Sequence, residues 1–592
     1  MLQTFRDLSR YLRRYPRAYA GAIVLMVTFA FLTTLAPIVV GRAIDTFLAG
    51  RMTMASIWGY LGAILAIGLS SAGAMVFVRR SLLNASWEIQ FDIRRDLFEH
   101  FTRLDPSYYD DHRVGDLMAR LTADLNAVRM LVGVAIMMGT NTSLVLVFTL
   151  VRMFQLDAGL SLLTLLIVPF ITITFFLLLR VVHRRYERVQ EQFSNVSAMA
   201  QENFSGIRVV KGFGIENREL GEFERLNDEF IRRNLALTKV EGPLFPLMEL
   251  LFGLTISVLL LVGGRLVLGI GGDLTIGQFS SFVFLFEGIQ WPLIALGWIA
   301  NIVQRGTTSW HRLRAILDVP TKIADGPDTR GDIADVAGDI EFRDVSIALG
   351  GRTVLDRVSF RIRAGEAVGI TGRTGAGKTL IVKLITRLLD PDSGRVLVDG
   401  VDVRRIPVAV LRRRIGLVPQ EPFLFGDTIA DNIAYGIPEA DDAPEAAAER
   451  ERRVREVARL AQLEADVDGF PMGFATQLGE RGVTLSGGQR QRTAIARAII
   501  RDPSVLIFDD ALSAVDTQTE AAILDGLRRV QQGRTTIVVA HRVSAFAHCD
   551  RVLVLDDGRL VESGTPEALQ AAGGWYADIV RRQQLEADLE AA

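Results

Sequence analysis

The chain has 592 residues, longer than one ordinary domain, and so points to two or more. Its 66 basic and 68 acidic side chains leave a net charge of -2, which excludes a global field for nucleic acid. An apolar fraction of 49% lies at the upper edge of the soluble range, and a single cysteine, Cys549, excludes an intrachain disulfide, as suits a cytosolic or membrane setting.

The apolar residues are unevenly spread, and the long apolar runs have ended by Val303. Six runs stand out: Ala18–Val40, Ile57–Val78, Leu131–Val151, Leu160–Val182, Leu247–Leu268 and Phe279–Val303. Each is close to the length of about 20 residues that crosses a bilayer. Long helices buried in one soluble core are the bland alternative, but so many runs of this length rarely share a core. The first run is too long for the apolar part of a secretory signal, no clear cleavage site follows, and more spans come after it. It reads as a retained helix.

The gaps from Val78 to Leu131 and from Val182 to Leu247 are long, charged and helical in pattern. One carries Arg79, Arg80, Arg94, Arg95, Arg103 and Arg120; the other carries Arg184, Arg185, Arg188, Arg232 and Arg233. The amino-terminal segment adds Arg6, Arg10, Arg13, Arg14 and Arg17. Basic flanks stay in the cytosol, so all three segments are expected there, and an even number of spans returns the carboxyl half to the same side. Polar Glu249, Arg265, Glu287 and Gln290 interrupt the spans, where charges usually face a cavity or a partner helix. Arg265, near the end of its run, is expected to snorkel. Glu287 sits beside Phe286 and Trp291, with helix-breaking Gly288 and Pro292 close by. A substrate-facing or gating position and a plain helix-packing contact both remain open for it.

From Pro320 the composition shifts. Residues 320–338 are rich in Gly, Pro and Asp and read as a linker. The expected organisation is a membrane domain over 1–319, a second domain over 339–575 and a terminal helix or tail over 576–592. "DIEFRDVSI" and "VLDRVSFRIRAGEAVGITG" alternate as strands should.

The second strand pattern runs into Gly372-Arg-Thr-Gly-Ala-Gly377-Lys378-Thr379, which fits G-x-x-x-x-G-K-[ST]. Its glycines let the backbone curl until N–H groups face phosphate oxygens. Lys378 brings a point charge, Thr379 a hydroxyl for Mg²⁺, and the helix that begins there turns its positive end to the anion. Gly372, Thr374, Gly375, Ala376, Gly377 and Leu380 complete the predicted cradle. Val505–Asp509 is a buried-strand pattern ending in a carboxylate, the expected second Mg²⁺ position. Ser486, Gly487, Gly488 and Gln489 precede a helical pattern, so their N–H groups offer another anion site. Alone, such a tetrad could be an ordinary helix cap; after a glycine loop and shortly before Asp509, the anion site is the better reading.

Together these motifs resemble the ATP-binding cassette family, and specifically its exporter-type half-transporters, over almost the whole chain. The resemblance implies an α-helical six-span transmembrane domain followed by an α/β P-loop cassette, with ATP and Mg²⁺ as cofactors. Lys378 and Thr379 match the Walker A motif and Asp509 the Walker B. Gln420 in "GLVPQEPFLF" matches the Q-loop, which implies a catalytic and Mg²⁺ contact, and Glu480 in "LGERG" matches the X-loop. Ser486–Gln489 match the signature, Ser513–Asp516 the D-loop with Asp516 at the nucleotide, and His541 in "VVAHRVS" the switch histidine on the γ-phosphate. "LDPSYYDDHRVGDLMARLTADL" and "ENFSGIRVVKGFGIENRE" resemble the two coupling-helix regions. In this family two cassettes stack head to tail, each ATP lying between one chain's Walker motifs and the other's signature. A chain with one cassette is half a transporter.

Two positions depart from the family pattern. Asp510 follows Asp509 where the family's hydrolytic residue is Glu. Aspartate is a methylene shorter, so its oxygens stand roughly 1 Å farther from the water, a misplacement that can cost ~100-fold in rate. Leu349 stands where an aromatic ring usually stacks on adenine; apolar contact survives, ring stacking does not. The signature is intact. The pattern resembles the degenerate-site subunit of a bacterial heterodimeric multidrug exporter, paired in the inner membrane with a different half-transporter that carries the glutamate. The expected cargo is hydrophobic or amphipathic: drugs, lipids or peptides. Alternatives are an importer of siderophore-like or amphiphilic compounds on the exporter fold, an active homodimer, and a nucleotide-gated regulatory subunit that does not pump.

Overall fold

A computed structural model describes residues 2–270, 272–437, 444–479, 485–511 and 517–591. The chain forms two compact units, Met1–Glu99 with Val114–Val319, and His100–Arg113 with Pro320–Ala592.

Among the described residues, six helices are long and apolar enough to cross a membrane: Pro16–Leu48, Met54–Arg103, Val114–Leu156, Ala158–Ser205, Glu216–Val267 and Ile276–Leu317. Their starts follow from sequence. Pro16 takes the first helical turn, where its missing N–H costs nothing. Asp157 accepts from the Leu160 N–H at 2.7 Å. Thr275 and Gln278 close a reciprocal capping box. The apolar runs mark only the middle of each helix; the charged gaps beyond them are helical too, and short helices Pro106–Asp111 and Ile207–Phe213 lie at their turns. Only 11–33% of the apolar window of each span is buried within the chain, and large apolar side chains such as Leu69 and Leu166 stand exposed, as lipid tolerates.

Gly288 and Pro292 fall inside the expected span Phe279–Val303, and the helix continues through both. Ile276–Leu317 runs unbroken through Pro292, as other spans run through Pro37 and Pro169. In apolar surroundings a helix that opened would strand more backbone groups than one proline removes. Glu287 is exposed on this helix, and Trp291 stands edge-on to Trp298 at 6.4 Å.

The spans are fastened to each other by polar groups. Asp45 accepts from the Gly277 N–H and the Thr275 hydroxyl, both at 2.7 Å. The backbones touch there: a Cβ on Gly277 would lie 2.0 Å from the Gly41 carbonyl oxygen. Two π-turns, Arg120–Asp124 and Leu131–Ala135, interrupt Val114–Leu156 and re-aim its carbonyls. The Tyr19 hydroxyl donates to one of them, Val132 O, at 2.9 Å. Asp124, 6% exposed, accepts from the Ser309 hydroxyl at 2.8 Å and from Arg312 Nε and Arg120 at 3.0 Å. The amino-terminal helix Leu2–Leu12 buries Leu8 and Tyr11 and pairs Asp7 with Arg314.

In the second unit, strands β1 (Ile340–Leu349), β2 (Arg352–Ile362), β4 (Ser393–Val398) and β5 (Val401–Asp402) form an antiparallel sheet in the order β2-β1-β4-β5. A second sheet has the order β10-β9-β3-β8-β7-β6, from β3 (Ala367–Gly372), β6 (Ile415–Val418), β7 (Val505–Asp509), β8 (Thr535–Val539), β9 (Arg551–Asp556) and β10 (Arg559–Gly564). All of its pairs are parallel except β9–β10. Every residue of β7 and β8 is buried, which explains the apolar runs Val505–Phe508 and Ile537–Val539. Residues 320–338 form no helix or strand yet are no free tether. Ala324 O accepts from Arg387, Arg330 N–H donates to Arg405 O at 2.7 Å, and Val336 enters the core.

Candidate nucleotide site

Parallel strands leave their carboxyl ends open to a ligand where helices and loops diverge. Four neighbouring strands of the second sheet carry the predicted residues at that edge. β3 ends at Gly372 and enters the glycine loop; Gln420 follows β6, Asp509 ends β7 and His541 follows β8. The register is tight, with Asp509 opposite Val539 and the Ala540 N–H on Ile370 O at 3.2 Å.

The glycine loop has the backbone its sequence requires. Gly375 and Gly377 take φ of +84° and +95°, a region that side chains resist. At Gly377 a Cβ would also meet Leu355 at 2.5 Å. Helix Lys378–Ile385 starts there and buries Leu380, Ile381, Leu384 and Ile385 under the sheet. Thr374, Gly375 and Thr379 are exposed at the loop, while Ala376 is buried. Lys378 Nζ donates to the carbonyls of Gly372 and Arg373 at 2.9 and 3.0 Å. Burial lowers the Lys378 pKa, and the charges of Asp510 and Asp509 oppose that shift.

Thr379 Oγ1 stands 3.4 Å from Asp509 Oδ1. Burial raises the Asp509 pKa; the Thr379 hydrogen bond lowers it, Asp510 raises it further and Lys378 lowers it. A hydroxyl and a buried carboxylate oxygen side by side are hard donors of the kind Mg²⁺ takes, and a cation there would favour the ionised carboxylate. Asp510 has a positive φ of +48°, and its N–H donates to Val539 O at 2.8 Å. Aspartate tolerates that left-handed region better than most residues. Gln420 and His541 are exposed, and Leu349 is exposed at the end of β1.

Ser486–Gln489 belong to a different part of the cassette. Ser486 caps helix Gly487–Ile499 in a reciprocal box with Gln489, at 3.2 and 3.0 Å. Gln489 also donates to Asp466 at 3.3 Å, and Arg492 pairs with the same carboxylate at 2.6 Å. The signature is thus anchored to helix Glu464–Asp468 rather than to the sheet edge. Sequence reading missed Asp466, because nothing local marks a carboxylate 23 residues from its partner. Glu480 and Ser513–Asp516 lie outside the described residues.

A glycine loop, a strand-end carboxylate and a capped signature helix, joined to six spans, define a membrane transporter driven by nucleotide. Residues 20–293 match the family described as ABC transporter transmembrane region, and residues 355–513 match ABC transporter. The chain belongs to the ABC transporter family and has the exporter architecture. It is 34% identical to the multidrug resistance-like ATP-binding protein MdlA of Escherichia coli (strain K12), over 100% of this chain and 98% of that protein. It is 32% identical to the ATP-dependent lipid A-core flippase of Syntrophus aciditrophicus (strain SB), over 98% and 95%. Its fold is similar to the solved structure of a bacterial Atm1-family ABC exporter with ATP bound, with a TM-score of 0.78 and 28% identity over 96% of this chain and 98% of that one.

Proposed function

We propose that this chain is one half of an ATP-driven heterodimeric exporter in the cytoplasmic (inner) membrane. It moves hydrophobic or amphipathic compounds out of the cytosol, and its own Walker motifs form the slowly hydrolysing site. The observation that carries the reading is Asp510, a carboxylate one methylene short in the position after the buried Asp509. The backbone N–H groups of the glycine loop and helix start, Gly372–Leu380, cradle the phosphates, and Lys378 leaves its loop carbonyls to meet them. Thr379, Asp509 and Gln420 would hold Mg²⁺, which supplies positive charge against the phosphates when bound. His541 contacts the γ-phosphate, and Leu349 gives adenine an apolar surface. Ser486–Gln489 direct their helix start to the ATP held by the partner's Walker motifs. The names of the relatives, one multidrug resistance-like and one a lipid A-core flippase, support an amphipathic cargo. His100–Arg113 falls in the same compact unit as the cassette, which supports a coupling role for the Tyr108–Asp116 turn.

The test is steady-state ATPase of the purified pair, with each substitution made singly. Asp510→Asn lowers turnover by less than about tenfold, because the carboxylate it removes is already too short. Replacing the partner's glutamate by Gln lowers it by ~10²–10⁴-fold, since no other group there orients the water. Ser486 and Gly488 variants are also severe, although they lie apart from this chain's Walker motifs. If Asp510→Asn alone stops hydrolysis as completely as the partner's change, the site is competent and a catalytically symmetric dimer replaces this reading.

A further inference from the structure

The loop that carries His541 is held by a residue from the far end of the cassette. Helix Trp575–Ala591 begins where both carboxylate oxygens of Glu562 accept the N–H groups of Trp575 and Tyr576, at 2.6 and 3.2 Å. Its inner face carries Tyr576 and Val580, both buried in the core. Gln583 is next on that face at the spacing of three to four residues that keeps a helical stripe in line. Its carboxamide makes two bonds to one short piece of backbone. Oε1 accepts from the Val543 N–H at 2.9 Å, and Nε2 donates to the His541 carbonyl at 2.8 Å.

We propose that Gln583 is a positioning residue for His541, acting through the loop backbone on the γ-phosphate end of ATP. The inference rests on the reading of His541 as a γ-phosphate contact. A primary amide is the one side chain that can give and take along a peptide strand as another strand would. It therefore fixes where β8 releases the chain, while leaving the His541 ring exposed and free to meet a ligand. The other side of the loop is fixed by side chains. Glu520, on helix Thr517–Gln531, accepts from Arg542 and from the Ser544 hydroxyl, each at 3.0 Å. Residues 541–544 are thus gripped on the main chain by Gln583 and on the side chains by Glu520. Losing the amide releases the loop at the histidine itself and touches none of the groups that bind the α- and β-phosphates. The effect is accordingly specific to the third phosphate: ATP binding weakens and ADP binding does not.

The experiment is equilibrium binding of ATP and of ADP, each with Mg²⁺, to the full chain in lipid nanodiscs. His541→Ala is expected to weaken ATP roughly tenfold or more and leave ADP unchanged, as loss of a hydrogen bond to a charged group would. Gln583→Met, which keeps length and packing but neither bond, and Gln583→Ala should weaken ATP about three- to tenfold, with ADP again unchanged. In the His541→Ala background, Gln583→Met should add nothing further, because both act on one contact. Gln584→Ala, an exposed neighbour, should change neither nucleotide. Equal weakening of ATP and ADP by the Gln583 variants would mean a merely structural residue and overturn the proposal. So would no effect, or an additive effect on top of His541→Ala. If His541→Ala itself leaves ATP unchanged, the γ-phosphate reading fails first and the positioning role goes with it.

Discussion

The membrane unit and the cassette use the same apolar residues to opposite ends. In the cassette, β7 and β8 hide every residue, and apolar contact does the holding. In the membrane unit, large apolar side chains such as Leu69 and Leu166 stay outside, and between helices lipid is as good a solvent for them as protein. What distinguishes one helix pairing from another must then come from close backbone approach and from polar bonds. The fasteners found are of that kind: Gly41 against Gly277 with Asp45 above them and Tyr19 on Val132 O, while the charged extensions of the same helices add Asp124 under Ser309, Arg312 and Arg120. The solvent on the far side of a helix decides which interactions can carry specificity.

The contrast can be broken most directly by one mutation type made twice. Leu506 on β7 is 0% exposed and Leu166 is 75% exposed. Leu506→Ala is expected to destabilise the cassette by about 2–5 kcal/mol, and Leu166→Ala to stay within about 0.5 kcal/mol. Denaturant midpoints of the full chain in nanodiscs, followed by pulse proteolysis, measure both; equal losses would abolish the distinction. The next effect in size is Asp124→Ala. It leaves Arg312 and Ser309 without their acceptor and should cost about 1–3 kcal/mol in the membrane unit. A thermal midpoint unmoved from wild type would show that the cluster fastens nothing. Smaller still is Asp45→Asn, which keeps an acceptor for the Gly277 N–H but alters the bond with Thr275. About 0.5–1 kcal/mol is expected from the same measurement, and a loss as large as that of Asp124→Ala would mean that charge rather than hydrogen bonding matters there.

Those fasteners were not legible in the sequence, whereas the elements they join were. Apolar runs of span length and the G-x-x-x-x-G-K-[ST] spacing are local signals, and the structure shows six spans and a glycine loop with positive φ at Gly375 and Gly377. Asp45 meets Thr275 across 230 residues, and no local pattern marks that pairing. Pro292 is the opposite case. Its local signal is strong, and the apolar surroundings overrule it. At the nucleotide site the chain order of Gly372, Asp509 and His541 was readable, but the amide that holds His541's backbone was not. A glutamine on a helical stripe looks like any other polar residue until the loop beside it is seen.

Gln583 follows His541 by 42 residues, and that separation has a consequence for synthesis. Ribosomes add about 5–20 residues per second, so β8 and the histidine emerge roughly two to eight seconds before the side chain that secures them. Through that interval the glycine loop and its lysine are already made, and the switch loop beside them has yet to be locked. A nascent cassette can therefore form its phosphate cradle early, while its grip on the third phosphate waits for the last helix to dock.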